Sequence, residues 1–268
     1  MDSLLLWLLA FVALGLFNGV LAGLLGIGGG MVIVPAMIWL APKLRVPAEH
    51  LMHVALGTSM ATICFIAISS ARSHYRRGSV SLPLLKVLMP GIAIGGLVGA
   101  VIAKYLNTEW LAWIFSIFAI LVAIKLLSGT NPEAKGDKAT DKQRLPAGIV
   151  MGAISSLVGI GGGSVVVPYL LYHKERLVVA IGTAAACGLP LAITAATGYI
   201  ITGWGTDTLP KNHIGYIYWP AMLAIAFGSM FTAPLGAYLA HKLPTKVIKR
   251  IFAILLMIVA VKIITNHI

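Results

Sequence analysis

Gly26-Ile27-Gly28-Gly29-Gly30-Met31-Val32-Ile33-Val34-Pro35 recurs as Gly159-Ile160-Gly161-Gly162-Gly163-Ser164-Val165-Val166-Val167-Pro168, with eight of ten positions unchanged. The copies lie 133 residues apart in a chain of 268. Glycine runs are poor helix builders, and each copy ends in β-branched residues before a proline, which favours extended backbone ahead of the proline. The chain therefore interrupts its own apolar segments twice, at equivalent points.

The surroundings are those of a membrane protein. Hydrophobic residues make up 59% of the chain and charged residues 10%, where soluble proteins carry about 25% charged residues. Apolar runs of about 20 residues recur along the length, as bilayer-spanning helices require. The formal charge of +12 does not mark nucleic-acid binding, because the basic residues sit in short links between apolar runs, where they orient membrane helices. The N-terminus enters an apolar run without a basic region or cleavage site, so the first segment is expected to remain as a helix. Cys64 and Cys187 fall inside apolar spans and read as packing residues; no metal site, disulfide or cofactor is implied.

In order, the expected elements are a helix over 4–25, the first glycine break, a short apolar piece to 42, and helices over 51–71, 82–103 and 110–127. After a hydrophilic stretch the order repeats: a limb over 145–158, the second break, and helices over 177–201, 214–240 and 247–265. Ala55-Leu56-Gly57-Thr58-Ser59 is echoed by Ala180-Ile181-Gly182-Thr183-Ala184. Ile117-Phe118-Ala119-Ile120-Leu121 is echoed by Ile251-Phe252-Ala253-Ile254-Leu255. Residues 1–128 and 145–268 are thus two membrane repeats joined by a linker at 129–144.

Charge sets their relative orientation. The link at 71–81 carries Arg72, Arg76 and Arg77, while its counterpart at 202–213 holds Asp207 and Lys211, which cancel. The link at 104–109 holds Lys104 and Glu109, while its counterpart at 241–250 holds Lys242, Lys246, Lys249 and Arg250. Positive charge changes sides between equivalent links, so the repeats are read as inverted, with the linker cytoplasmic and both termini outside. The limb over 145–158 spans only about 21 Å as helix, short of a roughly 30 Å core. Each break is accordingly the tip of a hairpin, the two approaching from opposite faces; re-entry and double crossing both satisfy the parity. The fold class is all-α integral membrane, two inverted-topology repeats, with 8–10 membrane segments.

Irregular backbone at depth must line protein or a watery cavity. Glycines allow successive amides to converge on an anion, and Pro35 and Pro168 suit a hinge or a helix start whose positive end faces the same point. The competing reading is close helix packing by small residues. Gly28, Gly29, Gly30, Gly161, Gly162 and Gly163 are the candidate anion-binding residues. Thr58, Ser59 and Thr183 could donate hydroxyls or merely bond back along their helix; Ser164 joins them as a candidate.

All eight acidic residues fall in links or near helix ends, so a buried carboxylate relay is not expected. His53 reads as structural, the arginines of the 71–81 link as orientation signals, and Lys86 either snorkels or draws anions toward an inner vestibule. The motifs of nucleotide loops, hydrolase elbows and zinc proteases are missing, so no enzyme is read.

The doubled Gly-Ile-Gly-Gly-Gly…Pro, followed by Gly-Thr-Ser and Gly-Thr-Ala, resembles the TauE/SafE sulfite exporter family, also described as toluene sulfonate uptake permeases. The resemblance spans nearly the whole chain. It implies an inner-membrane, multi-pass transporter of sulfur-containing anions such as sulfite, thiosulfate or organosulfonates (sulfoacetate), without giving the direction, and it assigns substrate contact to the glycines, Thr58, Ser59 and Thr183; a secondary transporter working in export is the reading adopted. Ala184 opposite Ser59 departs from a symmetric donor pair. An anion channel with a static two-hairpin filter is the alternative. The expected partners are the small anion and the lipid bilayer, with a homodimer allowed and nucleic acid excluded.

Overall fold

The computed structural model describes residues 2–25, 29–128, 140–242 and 245–265. Among the described residues ten α-helices follow in order: α1 (Asp2–Leu25), α2 (Gly30–Leu40), α3 (Leu51–Arg76), α4 (Leu82–Tyr105), α5 (Thr108–Ser128), α6 (Asp141–Val158), α7 (Gly163–Tyr172), α8 (Leu177–Thr202), α9 (Trp219–Lys242) and α10 (Thr245–Thr265). Among the described residues six helices are long and apolar enough to cross a membrane, and α2 and α7 are shorter apolar helices. The protein is an all-α integral membrane protein.

The second half of α4 is large outside and mainly small inside. On α4 the buried face is Gly91, Ile92, Gly95, Gly96, Gly99, Ala100 and Ala103, whereas Ile94, Leu97, Val98, Val101 and Ile102 are exposed. Lipid rewards this pattern: tails solvate the large side chains, and small residues let backbones approach closely. A Cβ on Gly95 would lie 2.9 Å from the Ala153 nitrogen of α6, and one on Gly19 of α1 would lie 2.7 Å from Ser229 Cα of α9. Ser229 Oγ donates to Gly15 O at 3.0 Å, tying the α1–α9 pair further.

Packing exchanges partners between the halves. The helix before the second break, α6, lies along α4 of the first half, and its equivalent, α1, lies along α9 of the second; α3 packs on α8 and α5 on α10. The equivalent helices α3 and α8 run antiparallel. Thr58, near the start of α3, accepts the N–H of Tyr218, the residue before α9 (3.0 Å), and Thr183, near the start of α8, accepts the N–H of Ser81, just before α4 (3.0 Å). Both acceptors follow a glycine, Gly57 on Tyr216 and Gly182 on Ser79, that leaves room for the partner backbone.

Several boundaries depart from the sequence expectation. Helix α3 runs five residues past 71, so Arg72 and Arg76 are helical. Helix α6 starts at Asp141 instead of 145, because a capping box with Thr140 and Gln143 opens it. Residues 213–218 form a two-stranded hairpin, β1 (His213–Ile214) and β2 (Ile217–Tyr218), so α9 begins at Trp219 and not at 214. Residues 129–139 of the expected linker lie outside the described residues.

Candidate functional site

The second break can be followed atom by atom. Helix α6 ends at Gly159, which takes the left-handed conformation (φ 70°), as C-terminal caps require of a residue without Cβ. Gly159 N–H donates to Ser156 O and Ile160 N–H to Ser155 O. Three residues on, α7 restarts: the N–H groups of Val165 and Val166 turn onto Gly162 O at 3.3 and 2.8 Å. The first N–H groups of a helix have no partner within it, so those of Gly163 and Ser164 point out of the positive end of α7.

The valine runs are therefore helical, not extended. Pro35 and Pro168 lie six residues into α2 and α7, and the helix starts are Gly30 and Gly163. Helical hydrogen bonding satisfies the backbone locally, which an extended segment at membrane depth could not do. The missing proline N–H frees only the carbonyl four residues earlier, that of Met31 or Ser164.

The limbs of the second hairpin return to one end of the bundle. Arg144 in α6 and Glu175 after α7 approach to 3.9 Å, so the chain enters and leaves at the same side. The two breaks meet. A Cβ on Gly30 would overlap Gly159 O and lie 2.8 Å from Ile160 Cα, and Ser59 Oγ donates to Gly159 O at 2.7 Å. Gly29 is buried at φ 78° over the amide of Asn18. Asn18 is fully buried and donates to Ser229 Oγ at 3.1 Å, while its Oδ1 has no hydrogen-bond partner.

A cavity of about 420 Å³ opens beside the second break. Gly161, Gly162 and Gly163 line it, with Ala184, Ala185 and Gly188 of α8 opposite. Its other walls come from the C-terminal half of α3, from α9 and from the end of α1. Among the described residues no acidic side chain lines it, and Arg77 and His74 do.

The candidate residues thus separate into groups. Gly161–Gly163 face the cavity. Gly30 and Ser59 form the contact between the breaks. Thr58 and Thr183 are fully buried acceptors that clamp the links before α9 and α4. Ser164 Oγ is buried in the first turn of α7 without a hydrogen-bond partner. Gly28 lies outside the described residues. Lys86 is exposed on α4 and away from the cavity. His53 Nε2 contacts two carbonyls, Ala103 O at 3.0 Å and Leu106 O at 3.1 Å, and so carries the proton and fastens α3 to the end of α4.

Sequence reading missed Ser70 on the cavity wall, and it missed Ser73, His74 and Arg77 because it ended α3 at residue 71. The signal was present: Ser70, Ser73 and Arg77 continue the helical spacing of α3.

Lipid-facing helices around broken helices, with a cavity at the break, are the architecture of a polytopic membrane transporter. The comparisons agree. A "Probable membrane transporter protein" of Haemophilus influenzae is 38% identical over 260 residues, 95% of this chain and 97% of its own. "Probable membrane transporter protein YunE" of Bacillus subtilis is 28% identical over 273 residues, 94% and 96% of the two chains. The chain belongs to the family described as Sulfite exporter TauE/SafE, which it matches over residues 11–263. Family and relatives are transporters, not enzymes. No solved structure matches the chain.

Proposed function

We propose that this protein is a secondary transporter of the cell inner membrane that exports small sulfur-containing anions such as sulfite, thiosulfate or organosulfonates. It works by alternating access around an anion held at the second glycine break. The observation that carries the reading is the coincidence, at one cavity floor, of Gly161–Gly163, the start of α7, whose first N–H groups have no partner within the helix, and a described lining without carboxylates. Converging N–H groups at a helix start suit an anion and repel a cation.

The antiparallel run of α3 and α8 and the exchanged packing support two repeats of inverted topology, which would let the halves trade conformations. With the linker cytoplasmic and both termini outside, the cavity mouth at the end of α3 faces the cytoplasm, where exported anions load. Pro35 and Pro168 supply the points at which α2 and α7 bend.

The contact of Gly30 and Ser59 with Gly159 closes the floor between the breaks. That favours a transporter over a channel with a static filter, which needs a continuous path. Proteoliposomes preloaded with thiosulfate test this. Saturable counterflow of radiolabelled thiosulfate or sulfite is expected; unsaturated, purely voltage-driven flux would identify a channel. Failure of every small anion to bind the purified protein would remove the anion site altogether.

A further inference from the structure

Arg77 looks like an orientation signal in sequence, yet it lines the cavity whose floor is the second glycine break. Arg76, adjacent in the chain, does not line it. Ser70, Ser73 and Arg77 share one face of the end of α3, at spacings of three and four residues, and all three border the cavity.

The distances separate Arg77 from the floor. Gly162, Gly188 and Ala67 lie at one level: a Cβ on Gly162 would be 3.8 Å from Gly188 N, and one on Gly188 would be 3.9 Å from Ala67 Cβ. Arg77 is ten residues further along α3, about 15 Å of helical rise, and an arginine side chain covers about half of that. It cannot hold an anion that the floor amides are holding. Between the level of Ala67 and Arg77 the α3 wall carries Ser69, Ser70, Ser73 and His74, and beside Arg77 the titratable groups among the described lining residues are His74 and Tyr238. The His74 ring is fixed by Ser79 Oγ, 3.1 Å from its Nδ1.

We propose that Arg77 is a second anion station at the cavity mouth, which captures the oxyanion head and exchanges it with the Gly161–Gly163 floor along the hydroxyls of Ser70 and Ser73. This rests on the floor being the anion site. A guanidinium offers paired donors that match an oxyanion, and a cation over a cavity whose described lining holds no acidic residue raises the local anion concentration. The station sets capture rather than the conformational step, so it governs KM and not kcat.

The test is counterflow of radiolabelled thiosulfate in proteoliposomes. Arg77→Gln is expected to raise KM about tenfold, the loss of one charge-assisted contact, to leave kcat within about twofold, and to flatten the dependence of KM on ionic strength. Arg76→Gln removes the same charge from the same link outside the cavity and is expected to leave KM unchanged. Arg77→Gln/Tyr75→Arg restores the link's charge on an exposed side chain outside the lining; it protects insertion and is expected to keep the raised KM. The proposal is overturned if Arg76→Gln raises KM as much, or if the Tyr75→Arg partner substitution returns KM to the wild-type value. If the wild-type protein moves no anion, the transport reading itself falls instead.

Discussion

Gly162→Ala separates binding from folding at this site. A Cβ there would meet Ala184 O at 3.4 Å and Val166 Cγ2 at 3.5 Å, ordinary contacts, and Gly162 already has a right-handed backbone (φ −57°). Reduced freedom of the unfolded chain stabilises by about 0.4–1 kcal/mol. Gly162 is the N-cap of α7, where alanine is worse than glycine by about 0.5–1 kcal/mol. The two nearly cancel, so the melting temperature of the purified protein should move by less than about 4 °C. The new methyl stands on the cavity floor, where it holds an anion beyond the roughly 2.9 Å that an N–H bond requires. Losing one such bond to a charged acceptor costs about 1.5–3 kcal/mol, a ten- to hundredfold rise in the dissociation constant. Gly30→Ala should do the reverse. Its Cβ would overlap Gly159 O, and overpacking of this kind destabilises by about 1–3 kcal/mol. Thermal unfolding and equilibrium anion binding on both variants give the answer. Wild-type binding and transport by Gly162→Ala, with an unchanged melting temperature, would refute the placement of the anion on the α7 amides.

Other outcomes follow from single contacts. Ser59→Ala removes the 2.7 Å bond to Gly159 O and strands a buried carbonyl, so thermal unfolding should show a loss of about 1–3 kcal/mol. Thr58→Val and Thr183→Val each delete one acceptor for a backbone N–H across the halves; losses of similar size are expected, with anion affinity unchanged if both threonines serve packing. Gly29→Val places a branched side chain at φ 78° over Asn18, so it should lower the yield of folded protein, whereas Gly162→Val should spare folding more and abolish transport. His213 lies in the hairpin before α9, and burial pushes its imidazole below the ordinary histidine value despite the 2.9 Å contact of its Nδ1 with Pro210 O. The unfolded chain therefore takes up the proton first: the stabilisation is present above about pH 6.5 and declines as the pH falls toward the folded-state value. His213→Gln should flatten the fall in melting temperature between pH 7.5 and 5.

The sequence by itself determined the class and placed the glycine breaks. Apolar runs with charge confined to links leave no alternative to helices in lipid, because each such segment must satisfy its own backbone. The doubled Gly-Ile-Gly-Gly-Gly marked where those helices stop, since glycine repeats carry their conformational meaning locally. Helix α3 shows the limit of such reading: charge signals where a chain meets water, not where its hydrogen bonding ends, so Arg72 and Arg76 read as link although they are helical. The valines before Pro168 show another, as the demand for paired amides at depth outweighed the weak extended preference of β-branched residues.

Only the tertiary structure decided which hydroxyls and charges meet the cavity. Thr58, Ser59 and Thr183 are equivalent or adjacent in sequence, yet two accept backbone amides across the halves and one closes the contact between the breaks. Arg76 and Arg77 are neighbours with the same charge, and the turn of one helix puts only the second on the wall. Among the described glycines of the two stretches, Gly161–Gly163 lie in the cavity's lining, and Gly30 spends its missing side chain on Gly159. These distinctions rest on contacts between residues a hundred or more positions apart, which no local pattern encodes.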